Sequence, residues 1–185
     1  MNETMGTIAK RRSTRQFKPE PIAETELHAI LEAGLAAPSG HNDQSWYFAV
    51  IQNKDLIGKL SDGSKIEMRK TGMDWIVNLG KNEQFNIYHH APTVVLVAAR
   101  KDAVSPVADV CAAIQNMLIA AESLNIGSCW IGFAQFYFTT PERTREVGIP
   151  DGYAVHYAVA LGYRPEGQKS NPPARKYAKY YHVIH

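Results

Sequence analysis

Three stretches of the sequence bring chemically useful side chains close together. Arg11-Arg12-Ser13-Thr14-Arg15 sets guanidinium groups on both sides of a hydroxyl. Arginine binds phosphate through forked, charge-assisted hydrogen bonds and serine adds a neutral donor, so this run suits a phosphate dianion. An arginine-rich turn can also be plain solvated surface, and charge alone leaves that reading open. Ala37-Pro38-Ser39-Gly40-His41-Asn42-Asp43-Gln44-Ser45-Trp46 gathers Ser39, Asn42 and Gln44 into one loop. Amide side chains can meet both the donor and the acceptor edges of a heterocycle. The same residue types also build helix ends and turns. In Gly127-Ser128-Cys129-Trp130-Ile131-Gly132-Phe133, Gly132 could let the backbone approach a flat ligand closely. The alternative there is a strand with a glycine bulge.

Other chemistries lack their residues. No G-x-G-x-x-G follows a strand-like run, no G-x-x-x-x-G-K-[ST] is present to cradle phosphates, and no G-x-S-x-G presents a serine nucleophile. His89 and His90 are adjacent. Adjacent side chains diverge on a helix or strand, so metal-ligand spacing is missing and both read as structural or surface residues. Cys129 stands beside Trp130 with no identifiable base, and reads as a small core residue rather than a nucleophile. Two cysteines, Cys111 and Cys129, are too few for a disulfide framework.

Charge and hydropathy narrow the partners. The net charge of +2 and pI near 8.5 are too mild for nucleic acid or a membrane surface. Positive charge is concentrated only in Lys10-Arg11-Arg12 and in Lys176 and Lys179. Met1-Asn2-Glu3-Thr4-Met5 lacks the apolar stretch of a signal peptide. No run reaches the roughly 20 apolar residues of a membrane span. The expected location is the cytoplasm, with neither nucleic acid nor membrane as a partner.

The elements that must position these residues follow from periodicity. With 185 residues, one domain is expected. Helices are expected over residues 4–10 and 24–37, and a short one over 54–60; a strand is expected over 46–51. Residues 61–90 carry three glycines and patchy periodicity, which suits a mobile cover or an ordinary surface excursion. Residues 92–99 form a continuous apolar run, expected as a central strand covered on both faces. Ser105-Pro106 opens a helix to Leu124 that is apolar on nearly every side. Such a helix must be buried almost all round, in part by a second subunit. Strands over 129–134 and 153–163, a short helix after Thr140-Pro141, and a last strand over 177–184 complete the pattern. Helices and strands interleave without regular βαβ units, so the expected fold class is α+β: three layers, with a mixed central sheet flanked by helices.

Taken in order, these segments resemble the nitroreductase family of flavoenzymes along nearly the whole chain. The resemblance rests on Arg11–Arg15, Ala37–Trp46, Ala91-Pro92-Thr93-Val94-Val95-Leu96-Val97, and Asn116-Met117-Leu118 with Ala120-Ala121. It continues through Gly127–Gly132, Leu161-Gly162-Tyr163 and Pro172-Pro173-Ala174-Arg175. It implies FMN held tightly at the interface of a homodimer, with NAD(P)H as a transient hydride donor. It implies that Arg11 and Ser13 hold the ribityl phosphate with Arg12 beside them, and that Arg15 lies near the flavin pyrimidine edge. Pro38, Ser39, Gly40 and Asn42 would reach the flavin from the other subunit, with Gln44 close by. Trp130, Ile131, Gly132 and Phe133 would line the isoalloxazine, a backbone N–H near Gly132 would face N5, and Arg175 would return to the phosphate. The C-terminal tail would embrace the partner. Because FMN carries the redox chemistry, no catalytic acid, base or metal is expected from the chain. The implied activity is ping-pong reduction of nitroaromatics, quinones or related planar acceptors.

Some residues depart from the family pattern. Ser45 stands where proline usually follows the Asn-x-Gln segment, which bears on how the next strand begins. Some members carry an acidic residue where Gly132 stands. The mid-chain flavin contacts have no clear counterpart within residues 61–90, where Gln84 and Asn86 are candidates. The same fold also admits reductive dehalogenation, oxygen-dependent flavin cleavage, or FMN storage without turnover.

Overall fold

The computed structural model describes residues 2–167 and 183–184. Arg175, and the expected strand over 177–184 as a unit, lie outside the described residues.

Helix α1, Glu3–Lys10, starts where Asn2 Oδ1 accepts from the Met5 N–H at 3.0 Å. Glu3 in its first turn and Lys10 in its last complement the helix dipole. Helix α2, Glu24–Leu35, starts where the Glu26 carboxylate accepts from the Ala23 N–H at 3.0 Å. It stops short of the expected Ala37, because the ring of Pro38 disfavours helical backbone at the residue before it. Strand β1, Trp46–Ile51, is as expected.

Helix α3 spans Lys54–Met68, more than twice the expected length. Its buried stripe runs Ile57, Leu60, Ser61, Ser64 and Met68, so two serines occupy core positions and hide the apolar period. Helix α4, Asp74–Lys81, then packs back on α3. A Cβ at Gly80 would lie 2.8 Å from the Lys65 carbonyl oxygen, so the helices cross closely there. Residues 61–90 are therefore mostly packed helix rather than a surface excursion. The segment after α4 retraces α3: Lys65 Nζ donates to Glu83 O at 3.4 Å, and Ser61 Oγ accepts from Ile87 N at 3.1 Å.

The chain then enters strand β2, Thr93–Arg100, followed by helix α5, Pro106–Ser123, and strand β3, Gly127–Ile131. A 3-10 turn at Phe133–Phe136 occupies the second half of the expected 129–134 strand, since the chain leaves the sheet after Ile131. Helix α6, Pro141–Arg145, and strand β4, Tyr153–Gly162, follow.

The sheet order is β1-β2-β4-β3, with every pair antiparallel. Among the described residues the paired strands are all antiparallel where a mixed sheet is expected, and the strand expected over 177–184 lies, as a unit, outside them. Residues 82–92 run back along α3 and so deliver β2 beside the end of β1, in the opposite direction. Among the described residues, parallel pairing is confined to an isolated bridge between Ser13 and Ser128. In β4, His156 is the extra residue of a bulge between the Val97 and Ala98 pairings.

β2 is covered on both faces, as its apolar run predicts. Val94, Leu96 and Ala98 join a core with Leu60, Met68 and Ile76 from α3 and α4. Val95, Val97 and Ala99 join Ile30, Ile114 and Met117 from α2 and α5. Three layers result. On the α2/α5 side, a Cβ at Gly34 would meet Met117 Cε at 2.5 Å, marking where the two helices touch.

α5 is not buried all round within one chain. Its inner stripe from Asp109 to Ala121 is buried, but Val107 remains 47% exposed and Cys111, Ala112, Ile119 and Ala120 are only half-buried. The described chain covers that side only in part, with α1 packing against α5, and Met5, Ile8, Leu35 and Val104 are exposed as well. No helix among the described residues is long and apolar enough to cross a membrane.

Candidate functional site

Beyond α1 the chain extends along β3. The Thr14 N–H donates to the Ser128 carbonyl at 2.8 Å, and Thr14 itself is buried. In extended backbone successive side chains alternate, so Ser13 and Arg15 face away from Thr14, and both are exposed. Three members of this arm influence the ionisation of the Cys129 thiol. Burial pushes the thiol pKa up, while Arg15, a hydrogen bond from Ser13, and Arg11 pull it down. Arg11, Ser13 and Arg15 thus all bear on one side chain of β3, the strand to which Ser13 is bridged at Ser128. Arg12 is employed differently. Its Nη1 donates to the Ala9 and Arg11 carbonyls at 2.8 and 2.6 Å, closing the end of α1. Its buried Nε has no partner among the described residues.

Beside this arm lies a cavity of about 230 Å³. Arg15, Cys129, Trp130, Ile131, Gly132 and Phe133 line it, together with Leu79, Phe85, Ile87 and His89. The four expected flavin-lining residues of the β3 segment therefore share one wall. Gly132 is exposed, and a Cβ added there would meet nothing within 4 Å, so this stretch of backbone borders open space.

His89 was not anticipated. It is half-buried, sits edge-on to Phe85 with ring centroids 6.4 Å apart, and has φ 54°. Burial depresses its imidazole pKa first, then Arg15 and His90. No sequence spacing signals this position, because it depends on two consecutive left-handed residues, His89 and His90. The neighbouring side chains do diverge: His90 faces a separate cleft of about 570 Å³. Gln84 and Asn86 line that cleft rather than the Arg15–Phe133 cavity. The Asn86 Oδ1 accepts from the Tyr88 and His90 N–H groups at 3.0 and 3.1 Å, so its side chain builds the turn.

The loop from Pro38 to Gln44 stands elsewhere. His41, Asn42 and Gln44 hold φ of 52°, 57° and 46°, in the left-handed region. Such residues cost of order 1–3 kcal/mol each and persist only where the surroundings fix them. Buried Asp109 does much of the fixing. It accepts from the Gly40 N–H at 2.9 Å and from the Ser45 hydroxyl at 2.6 Å. Ser45, where proline would be usual, thus anchors the loop, and β1 still begins at Trp46. Ser39 Oγ accepts from the Gln44 N–H at 2.9 Å, and Gln44 Nε2 donates to Asn42 Oδ1 at 3.0 Å. An ion pair from Arg100 to Asp43 ties the loop to the end of β2. Pro38, Asn42 and Gln44 remain exposed.

The two groups do not meet within one chain. The loop precedes β1 and the arm lies on β3, and these are the two outer strands of the sheet among the described residues. Three strand spacings separate them, about 14 Å before any offset along the strands. Among the described residues, no cluster of His, Cys, Asp and Glu could hold a metal ion.

The sequence matches the model of the Nitroreductase family over residues 8–163. A nitroreductase from Bacteroides fragilis, solved with bound FMN, is 34% identical and superposes with a TM-score of 0.92 over 100% of both chains. A second, from Desulfitobacterium hafniense and also with bound FMN, is 28% identical with a TM-score of 0.89 over 100% of both chains. An Archaeoglobus fulgidus protein named for NADH dehydrogenase or NAD(P)H nitroreductase activity is 29% identical, covering 91% of this chain and 89% of its own.

Proposed function

This chain belongs to the nitroreductase family of FMN-dependent oxidoreductases, and from that premise we propose that it reduces nitroaromatics, quinones or related planar acceptors with NAD(P)H, as a cytoplasmic homodimer with FMN at the interface. The observation that carries the reading is the division of the candidate residues into two groups at opposite edges of one sheet. Each is half a site. A second copy could bring its loop of Pro38, Ser39, Gly40, Asn42 and Gln44 to the arm and cavity of the first.

The residues present fit FMN. A cavity of about 230 Å³ is smaller than the roughly 300–1,000 Å³ of a complete cofactor site, as half a site should be. Arg11 and Ser13 offer a guanidinium and a hydroxyl to a phosphate dianion. Arg15 puts a cation on the cavity wall, suited to the flavin's pyrimidine edge. Gly132 lets its backbone approach a flat ring without a side chain intervening. Trp130, Ile131 and Phe133 would exclude water from that face. Arg12 supports the arm by closing α1, and Arg175 would complete the phosphate site. When bound, FMN supplies the redox chemistry, taking a hydride from NAD(P)H and passing it to the acceptor in alternating half-reactions, so the chain needs no acid or base of its own. The exposed apolar side chains of Met5, Ile8, Leu35, Val104 and Val107 are surface that association would bury.

The test is the absorbance spectrum of the purified protein under anaerobic conditions. Flavin bands should bleach on adding NADH or NADPH and recover when a nitroaromatic or quinone follows. A colourless protein that fails to take up added FMN would contradict the reading.

A further inference from the structure

The rim of the Arg15–Phe133 cavity carries an exposed indole. Trp75, in the first turn of α4, is 58% exposed. Its ring lies 6.0 Å from that of Phe133, tilted by 56°. One turn further along α4, Leu79 lines the cavity itself. Side chains four residues apart share a helix face, so α4 turns Trp75 and Leu79 toward the cavity while Ile76 and Gly80 are buried. Phe133 also meets Phe85 edge-on, with centroids 6.3 Å apart. Aromatic surface is therefore continuous from inside the cavity out to solvent.

An indole held more than half in water gives up much of the stabilisation that burial would provide. A large exposed apolar side chain joined to a cavity wall is the informative kind of exception. The electron-rich indole face favours an offset stack with an electron-poor ring, which nitroaromatics and quinones possess. Dihydronicotinamide is electron-rich and gains less. An inorganic acceptor such as ferricyanide has no ring to stack.

We propose that Trp75 is a specificity-determining residue, stacking the planar, electron-poor ring of the acceptor at the mouth of the cavity. This rests on the flavin reading of the cavity given above. Trp75 belongs to none of the groups expected to hold FMN, so its replacement should leave flavin content and reduction by NAD(P)H unchanged.

The experiment titrates 4-nitrobenzyl alcohol into oxidised holoenzyme without NAD(P)H, following the perturbation of the flavin bands. Trp75→Ala should weaken binding about fivefold, the scale of one aromatic stack, and Trp75→Phe should retain most of it. The KM for 4-nitrobenzyl alcohol should rise in step, with the KM for ferricyanide unchanged. Equal binding by wild type and Trp75→Ala overturns the inference. So does an equal loss toward ferricyanide, or a Phe variant as weak as the Ala variant. If no FMN is bound in any variant, the flavin reading itself fails and this inference with it. Holoenzyme that bleaches normally yet shows no ring-dependent loss overturns the inference alone.

Discussion

Arg11 and Arg12 are neighbours in sequence, yet the charge of one helps lower the Cys129 thiol pKa against burial while the other bonds back to the carbonyls ending α1. The residue run was legible as a phosphate-suited cluster, but its division of labour was not, because the turn of the chain after α1 decides it. Ser39 and Asn42 are likewise both expected ligands and turn builders. His89 went unread for the reason given above: its place depends on backbone conformation rather than spacing. It supports a prediction about pH. The imidazoles of His89 and His156 lie below their ordinary value of 6.5, His89 through burial, then Arg15 and His90, and His156 through burial. The unfolded chain therefore takes up those protons first. Stability falls as pH drops through 6.5 toward the depressed folded values, and is fully present above 6.5. Glu67, Glu142 and Glu146 lie below their ordinary 4.5, so their contribution is lost only at lower pH. Denaturant midpoints of FMN-free protein between about pH 7 and pH 5.5 should slope downward, and His89→Gln with His156→Gln should flatten them. An unchanged slope in the double variant would rule out this assignment.

At the scale of elements, β1 and β2 were legible almost to the residue, because β-branched and aromatic runs bounded by breakers leave little choice. α3 was not, because Ser61, Ser64 and two glycines interrupt its apolar stripe. The structure separates those glycines. A Cβ at Gly63 would lie 2.4 Å from the Tyr137 ring, whereas one at Gly58 would meet nothing within 4 Å. Tyr137 has little freedom to move aside, since its hydroxyl donates to Glu146 at 2.7 Å and Arg143 lies over its ring at 5.0 Å. Gly63→Ala should therefore destabilise by about 1–3 kcal/mol, the cost of overpacking. Gly58→Ala should stabilise by roughly 0.5–1 kcal/mol, the gain in helix propensity. Chemical denaturation of both variants checks the pair, and shifts of the same sign would contradict the packing described for α3. The unexpected length of α3 matters for function, because α4 packs on it and carries Leu79 and Trp75 to the cavity.

For the whole molecule, the three-layer α+β arrangement was legible from the interleaving of helices and strands, and the antiparallel course of the four described strands was not. Direction depends on where each connection returns the chain, and residues 82–92 settle that through contacts remote in sequence. The apolarity of α5 was legible, and the side that one chain leaves exposed is the physical reason to expect a second copy. That expectation and the division of the candidate site make one claim: FMN binds between the arm of one chain and the loop of another. A mixed dimer tests it. Arg11→Ala should lower FMN affinity roughly tenfold or more by removing a charged hydrogen-bond donor. Asn42→Gly removes an amide side chain while keeping the left-handed backbone, and should weaken FMN binding as well. If one site joins the arm of one chain to the loop of the other, a dimer of one variant chain with the other holds one intact site and one doubly damaged site. The decisive measurement is FMN titration of that purified mixed dimer. The account predicts one FMN per dimer bound with wild-type affinity; weak binding at every site, no better than in either variant alone, would contradict it.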